Sequence, residues 1–295
     1  MRIPLPPVPV PDEVVALAGE YAAGRRTPAE PRDAATVVLV RDGAGDPGGP
    51  ELYLLRRHTS MAFAAGMAVF PGGGVDPRDF DADLGDGGWA GPSPAAWAER
   101  LGVDEERAAA LVCAAVRETF EESGVLLAGA SADEVVADTT GADWEADRVA
   151  LETHELAFTD FLARRGLVLR TDLLGVWDAW VTPRFEPKRY RTWFFAAALP
   201  AGQRTRDVST ESSSVEWVPA ADAVVAAETG GTAMMPPTYL TCLDVAQQPS
   251  AAAVLAEAGR RTVEMFEPDV ERLPDGGWTM SMPDRMRPVL AAHRG

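Results

Sequence analysis

An α/β fold is predicted by three features of this 295-residue chain. First, short runs rich in β-branched residues, such as Ala-Ala-Thr-Val-Val-Leu-Val over 34–40, are too short for helices and read as strands. Second, residues 104–124 repeat apolar side chains at helical spacing, with Asp104 placed to cap the start and Gly124 to end it. Third, strand-like and helix-like segments are interspersed along the chain, and its 46% hydrophobic and 24% charged content is that of a globular protein. A chain of this length can bury a sizeable core, as one large domain or one domain with additions.

Taken in order, residues 1–11 form a proline-rich extended arm. Asp12 caps a short helix over 13–23 that Gly24 ends. Strand 34–40 turns through the Gly- and Pro-rich 43–50 and returns over 51–57, a hairpin expected at the edge of the core sheet. Residues 76–94 read as loop, and Ser93-Pro94 open a helix that runs to 101. In the next helix, Ala108, Leu111, Val112, Ala115, Thr119 and Phe120 form an apolar face to pack on the sheet. Glu118, Glu121 and Glu122 lie off that stripe and are expected to point into a cleft. Residues 131–166 read as a helical insert, with helices near 132–137, 142–151 and 156–165. Strands follow at 173–181, 191–199 and 215–218, then helices at 219–228 and 236–247. A final hairpin over 270–282 turns at Pro274-Asp275-Gly276-Gly277.

Charge and composition exclude several classes. A net charge of −18 argues against nucleic-acid backbone and against anionic membranes as partners, since both are bound by Lys and Arg. No apolar run reaches the length of a membrane span, and the N-terminus lacks an export-type apolar core, so a cytoplasmic location is the default expectation. Two cysteines far apart, Cys113 and Cys242, suggest neither a disulfide framework nor a zinc site, and three histidines argue against a His-rich metal site.

The chemistry concentrates in Arg117-Glu118-Thr119-Phe120-Glu121-Glu122-Ser123-Gly124-Val125. Glu118 stands three and four positions before Glu121 and Glu122, so the three carboxylates are neighbours on a helix. Like charges at these spacings cost a few tenths of a kcal/mol per pair, roughly, and their retention suggests a cation above them. Hard cations with oxygen ligands, Mg²⁺ above all, fit such a set. The alternative is an ordinary solvated acidic face with an Arg117–Glu121 ion pair. Upstream, Phe70-Pro71-Gly72-Gly73-Gly74-Val75-Asp76 ends a strand with glycines that permit close backbone approach to a cation or phosphate.

These two segments resemble the Nudix hydrolase signature, G-x5-E-x7-R-E-U-x-E-E-x-G-U with U aliphatic. Gly73 fits its first glycine; Arg117, Glu118, Glu121, Glu122, Gly124 and Val125 fit its second half. The first glutamate falls on Asp79, and Thr119 replaces an aliphatic residue. Between Asp79 and Arg117 lie 37 residues, so the box is split by about 30 extra residues compared with the family pattern. A split box is similar to the branch that includes peroxisomal coenzyme A diphosphatases. Arg57, Gly66 and Phe70 through Gly73 match that branch's coenzyme A signature, whereas His58 replaces its serine and Ala62 its second arginine. The similarity extends through Ala179–Pro183, Thr192–Phe195 and Glu216–Pro219.

The resemblance implies an α/β/α sandwich with a mixed central sheet, a Nudix domain over 34–250 with insertions near 76–103 and 131–166, an N-terminal arm and helix over 1–33, and a C-terminal extension over 251–295. It implies hydrolysis of a diphosphate linkage in a small molecule, with coenzyme A or acyl-coenzyme A as the first substrate reading. The competing substrates are ADP-ribose- or NADH-type nucleoside diphosphates, and the competing class is a catalytically silent ligand-binding module. Glu118, Glu121, Glu122 and the Gly72 carbonyl would hold Mg²⁺, with Mn²⁺ as an alternative. Arg117 would orient a glutamate through a bidentate contact. Arg57, Gly73 and Gly74 would meet substrate. Glu211, with Glu216 second, is the loop candidate for general base, and a solvated loop is the competing reading for both. A homodimer is implied only because many relatives form one. Trp180, Trp193 and Phe194 read as core or as base-stacking groups, and Lys188-Arg189-Tyr190-Arg191 as a phosphate patch or a solvated loop.

Overall fold

The computed structural model of the chain describes residues 5–45, 49–59, 64–81 and 87–295. Helix α1 spans Asp12–Ala22, followed by strands β1 (Arg32–Asp42), β2 (Pro50–Arg57), β3 (Ala68–Val69) and β4 (Gly72–Gly74). A 3-10 turn at Pro77–Asp81 leads to β5 (Trp89–Ala90), α2 (Pro94–Leu101) and α3 (Glu105–Ser123). Next come β6 (Ala128–Gly129), α4 (Ala142–Glu152), α5 (Phe158–Arg165), β7 (Val168–Arg170), β8 (Leu174–Val181), β9 (Tyr190–Ala198) and β10 (Ser212–Pro219). The chain closes with α6 (Ala220–Thr229), α7 (Pro236–Val245), α8 (Ala251–Ala258), β11 (Val270–Arg272), β12 (Trp278–Met280) and α9 (Met286–Arg294).

The main sheet runs β10-β2-β1-β9-β8, with β3 added to β2 and β4 to β1. It is mixed because β1 and β9 pair in parallel while its other pairs are antiparallel. Alternate residues of β1 face opposite sides. Ala35, Val37 and Leu39 join one buried cluster with α2, α3, α4 and α5; Val38 and Val40 join a second with α6, α7, α8 and α9. This is an α/β/α sandwich, and it explains why 34–40 is an unbroken apolar run: both faces of a central strand are covered. The 34–57 hairpin therefore lies inside the sheet and not at its edge, because β9 takes the far side of β1 and β10 the far side of β2.

Helix α3 forms as its sequence predicts. Asp104 accepts the Arg107 N–H at 2.8 Å, and Gly124 takes the left-handed conformation (φ 74°). Ser93 caps α2 by accepting the Ala96 N–H. Leu111, Val112, Val116 and Phe120 are wholly buried, each contributing on the order of 1.5–3 kcal/mol by removal from water. Burial extends around the helix and reaches the acids, so α3 is a core helix and not a half-exposed amphipathic one. Thr119, at the signature's aliphatic position, satisfies its buried hydroxyl by donating to the Ala115 carbonyl at 2.7 Å.

Two expectations fail locally. Asp12 is the first residue of α1 and makes no capping bond; Pro11 occupies the cap position, and the acids Asp12 and Glu13 stabilise the helix start through its dipole. Residues 132–137 are not helical. Their backbone groups are taken elsewhere: Val136 N–H donates to the Ala128 carbonyl, while Arg170 and Gln203 donate to the carbonyls of Glu134 and Val136. The small sheet β5-β7-β6 joins the two insertions, with Leu169 paired to both Trp89 and Ala128. The 270–282 hairpin forms, and the N-terminal arm joins it through Val10 N–H to Trp278 and Met280 N–H to Val8.

Candidate active site

Strand β4 presents its glycines to the end of α3. Pro71 and Val75 bond to β1, through Val37 N–H to the Pro71 carbonyl and Val75 N–H to the Asp33 carbonyl. The alternation of an antiparallel strand then turns Gly72 and Gly74 away from β1. The Gly72 N–H donates to Glu122 Oε2 at 2.7 Å, and the Gly74 carbonyl accepts from Arg117 at 3.0 Å. Glycine is required at 72 by contact, since a Cβ there would sit 2.4 Å from the Ala35 carbonyl oxygen; a Cβ on Gly73 would instead meet the movable Glu118 carboxylate at 2.6 Å.

Arg117 is the hub. Its Nε and one terminal nitrogen hold both oxygens of Asp79 at 3.1 and 2.9 Å; the other terminal nitrogen reaches Glu118 at 2.8 Å and Glu121 at 3.3 Å. The bidentate partner expected among the box glutamates is thus Asp79. Asp79 is 2% exposed and Arg117 4%, so the acid before the insertion is brought to the arginine after it. Sequence spacing hides this pairing because the insertion leaves and returns between them.

Three carboxylates, Asp79, Glu118 and Glu121, surround this one guanidinium in a largely buried setting, and Glu122 stands beside them on the Gly72 amide. Burial first, and then the Glu118 charge, pushes Glu121 up to about 8. Burial also raises Glu118, against the pull of Arg117, and raises Glu122 further, with Glu118 adding repulsion. Although burial opposes it, the charges of Glu118, Asp79 and Glu121 hold Arg117 protonated. Negative charge in excess of its local compensation is what a divalent cation would relieve. Among the described residues no three acidic, imidazole or thiol side chains stand grouped to hold an ion: Glu118 and Glu121 are turned to Arg117, and Glu122 to the Gly72 amide. The donor chemistry fits such a cation, and the side-chain rotamers would have to change to receive it.

Beside this cluster, Arg57 on β2 pairs with Glu211 at 2.8 Å. The pair is near enough that Glu211 helps to raise Glu118 and Glu122, while Arg57 lowers Glu122. The structure therefore brings together Arg57, Gly72, Gly73, Gly74, Arg117, Glu118, Glu121, Glu122 and Glu211. Glu216 is not among them: it pairs with Leu54, whose side chain lies in the cluster on the opposite face of the sheet. Trp180, Trp193 and Phe194 are core residues. The basic stretch is neither a phosphate patch nor a solvated loop, because Arg189 pairs with Glu267 and Arg191 with Asp33. Ala62 lies outside the described residues.

A family profile described as the NUDT19 Nudix domain matches residues 98–243. A putative nudix hydrolase 7 of Caenorhabditis elegans is 29% identical over 211 residues, covering 70% of this chain and 57% of that protein. An acyl-coenzyme A diphosphatase NUDT19 of Gallus gallus is 28% identical over 211 residues, covering 57% of this chain and 55% of that protein. The crystal structure of a NUDIX hydrolase from Alicyclobacillus acidocaldarius superposes with a TM-score of 0.65 at 26% identity, covering 77% of this chain and 96% of that one. Over these matched stretches the chain is similar to the Nudix hydrolases. It spans little more than half the length of the two curated relatives.

Residues that the Nudix signature would hold together, Asp79 and Arg117 with Glu118 and Glu121, meet in space although they are divided in sequence. Several residues that frame this box carried no signal of their own. Arg148 on α4 donates to the Glu121 carbonyl at 2.7 Å, and Arg206 lies against Gly124, where a Cβ would meet its guanidinium at 2.8 Å. The sequence hint for Arg148 is its spacing from Glu145 and Glu152, three and four positions away, which identifies a helical ion-pair centre but not what it reaches.

Proposed function

We propose that this chain is a divalent-metal-dependent Nudix hydrolase that cleaves a diphosphate linkage, with coenzyme A or an acyl-coenzyme A as the substrate class. The observation that carries the reading is the gathering of Asp79, Glu118 and Glu121 around the guanidinium of Arg117, with Glu122 on the Gly72 amide, against the glycines of β4. The matches at Arg57, Gly66 and Phe70–Gly73, and the name of the Gallus gallus relative as an acyl-coenzyme A diphosphatase, support the substrate class.

Glu118, Glu121 and Glu122, with the outward-facing Gly72 carbonyl, would hold Mg²⁺ or Mn²⁺ in this scheme. The chemistry such a cation would supply is neutralisation of the diphosphate charge and acidification of the attacking water. Arg117 fixes Asp79, Glu118 and Glu121 in place and does not need to touch substrate. Gly73 and Gly74 leave room for the diphosphate to approach the backbone. Arg57 exchanges its partner Glu211 for a substrate phosphate, which frees the Glu211 carboxylate to accept the proton of the attacking water.

The test is turnover of a diphosphate panel with Mg²⁺, with products identified by mass. Coenzyme A should yield adenosine 3′,5′-bisphosphate and 4′-phosphopantetheine, and EDTA should abolish the reaction. Preference for ADP-ribose or NADH would move the substrate class and keep the chemistry. No turnover across the panel, with metal binding demonstrated, would make the chain a silent ligand-binding module.

A further inference from the structure

The helical insertion carries an arginine whose bonds reach beyond its own helix. Arg148 is 3% exposed. Its Nε and one terminal nitrogen hold Glu145 Oε1 at 3.0 and 2.8 Å; the other terminal nitrogen donates to Glu152 Oε2 at 3.0 Å and to the Glu121 carbonyl at 2.7 Å. The Glu121 carbonyl lies in the last turn of α3, where helix carbonyls lack intrahelical partners. The N–H four residues on, at Val125, is taken by Ser123 Oγ. Arg148 therefore caps the acid-bearing end of the box helix from outside.

The two glutamates it holds reach the other half of the site. Glu152 Oε1 accepts both the N–H and the hydroxyl of Thr210, at 3.0 and 2.7 Å, next to Glu211. Glu145 Oε2 accepts from Arg206 at 2.5 Å, and the Arg206 N–H donates to the Ser123 carbonyl at 2.8 Å. One buried guanidinium thus ties three pieces together: the end of α3, helix α4, and the 206–211 segment. Glu145 and Glu152, two turns apart on one face of α4, both lean on the charge of Arg148 between them while they make these loop contacts.

We propose that Arg148 is a positioning residue, coupling the carboxylates of the box helix to the loop that bears Glu211 through Glu152 and Thr210. The inference rests on the hydrolase reading and assigns the second insertion a role in that site. Misplacing a reacting group by about 1 Å can cost roughly a hundredfold in rate. Loss of this link should therefore appear in kcat and leave KM nearly unchanged.

The experiment is a double-mutant cycle between Arg148→Met and Glu152→Ala, with hydrogen exchange of the 205–211 amides measured on the same proteins. Each single variant should lower kcat about tenfold or more with KM within about twofold, and should speed exchange in 205–211. The double variant should be no worse than the poorer single, because both cut one chain of contacts. Additive losses, a kcat within twofold of the parent, or unchanged exchange would overturn the proposal. If Arg148→Met does not fold, Thr210→Val replaces it in the cycle, and a kcat unchanged by that substitution and by Glu152→Ala would overturn it equally. If the parent hydrolyses nothing, the hydrolase reading fails, while the exchange data still decide whether Arg148 couples the two segments.

Discussion

Asp79 and Arg117, 38 positions apart in the chain, meet through two hydrogen bonds of 3.1 and 2.9 Å. Both are almost fully buried, and Arg117 spends its remaining donors on Glu118, Glu121 and the Gly74 carbonyl. The pair closes the box across the insertion. Asp79→Ala leaves a buried guanidinium with one partner fewer, and breaking such a pair costs about 3–5 kcal/mol. Urea denaturation should show that loss, together with a fall in hydrolysis.

Glu121→Gln should separate activity from stability. The substitution removes a carboxylate whose ionised form burial and Glu118 disfavour, while its amide oxygen can still accept from Arg117. The thermal midpoint should be unchanged or higher in metal-free protein. Turnover should fall at least about a hundredfold, and Mg²⁺ affinity should fall with it in a calorimetric titration. A variant with normal turnover would remove Glu121 from the site.

Gly73→Ala probes the contact between β4 and the box helix. Its Cβ would sit 2.6–2.7 Å from the Glu118 carboxylate, the end of a flexible side chain, so the carboxylate should yield and the fold should survive. The expected outcome is a near-parental circular dichroism melt with activity reduced by about tenfold to a hundredfold.

Asp76 supplies a pH test away from the glutamates. The Arg78 guanidinium, its backbone N–H and the Arg117 charge hold the Asp76 carboxyl well below the usual carboxylate range, against a smaller opposing effect of burial. A depressed folded-state value adds stability above the unfolded value of about 3.9, and that stability is lost as pH falls toward the folded value. Asp76→Asn should therefore cost about 2 kcal/mol at pH 7. The gap from the parent should begin to narrow below about pH 4, as read from urea midpoints at several pH values.

Cys113 and Cys242 are both fully buried. Burial pushes the Cys242 thiol up to about 12 and raises Cys113 as well. A thiol titration should find no reactive cysteine in the native protein and two after denaturation.

The strands and helices of the core were legible because burial leaves a periodic record. The unbroken apolar run at 34–40 marked a strand, and the aspartate before and glycine after α3 marked its ends. The place of that hairpin was not legible, because partners for β1 and β2 come from β9 and β10, more than a hundred residues away. Residues 132–137 have helical composition, yet their backbone groups bond to Ala128, Arg170 and Gln203 instead.

The same division holds for the site. By itself the sequence determined which residue types stand three and four apart on one helix and which glycines permit close approach, since both follow from local geometry. Only the tertiary structure decided that Asp79 completes the arginine's fork, that Glu211 faces Arg57 while Glu216 faces away, and that Arg148 reaches from an insertion to the box helix. These depend on how distant segments return to one place, and a side chain's neighbours across such a gap are set by packing of the whole sheet and its helices, not by spacing along the chain.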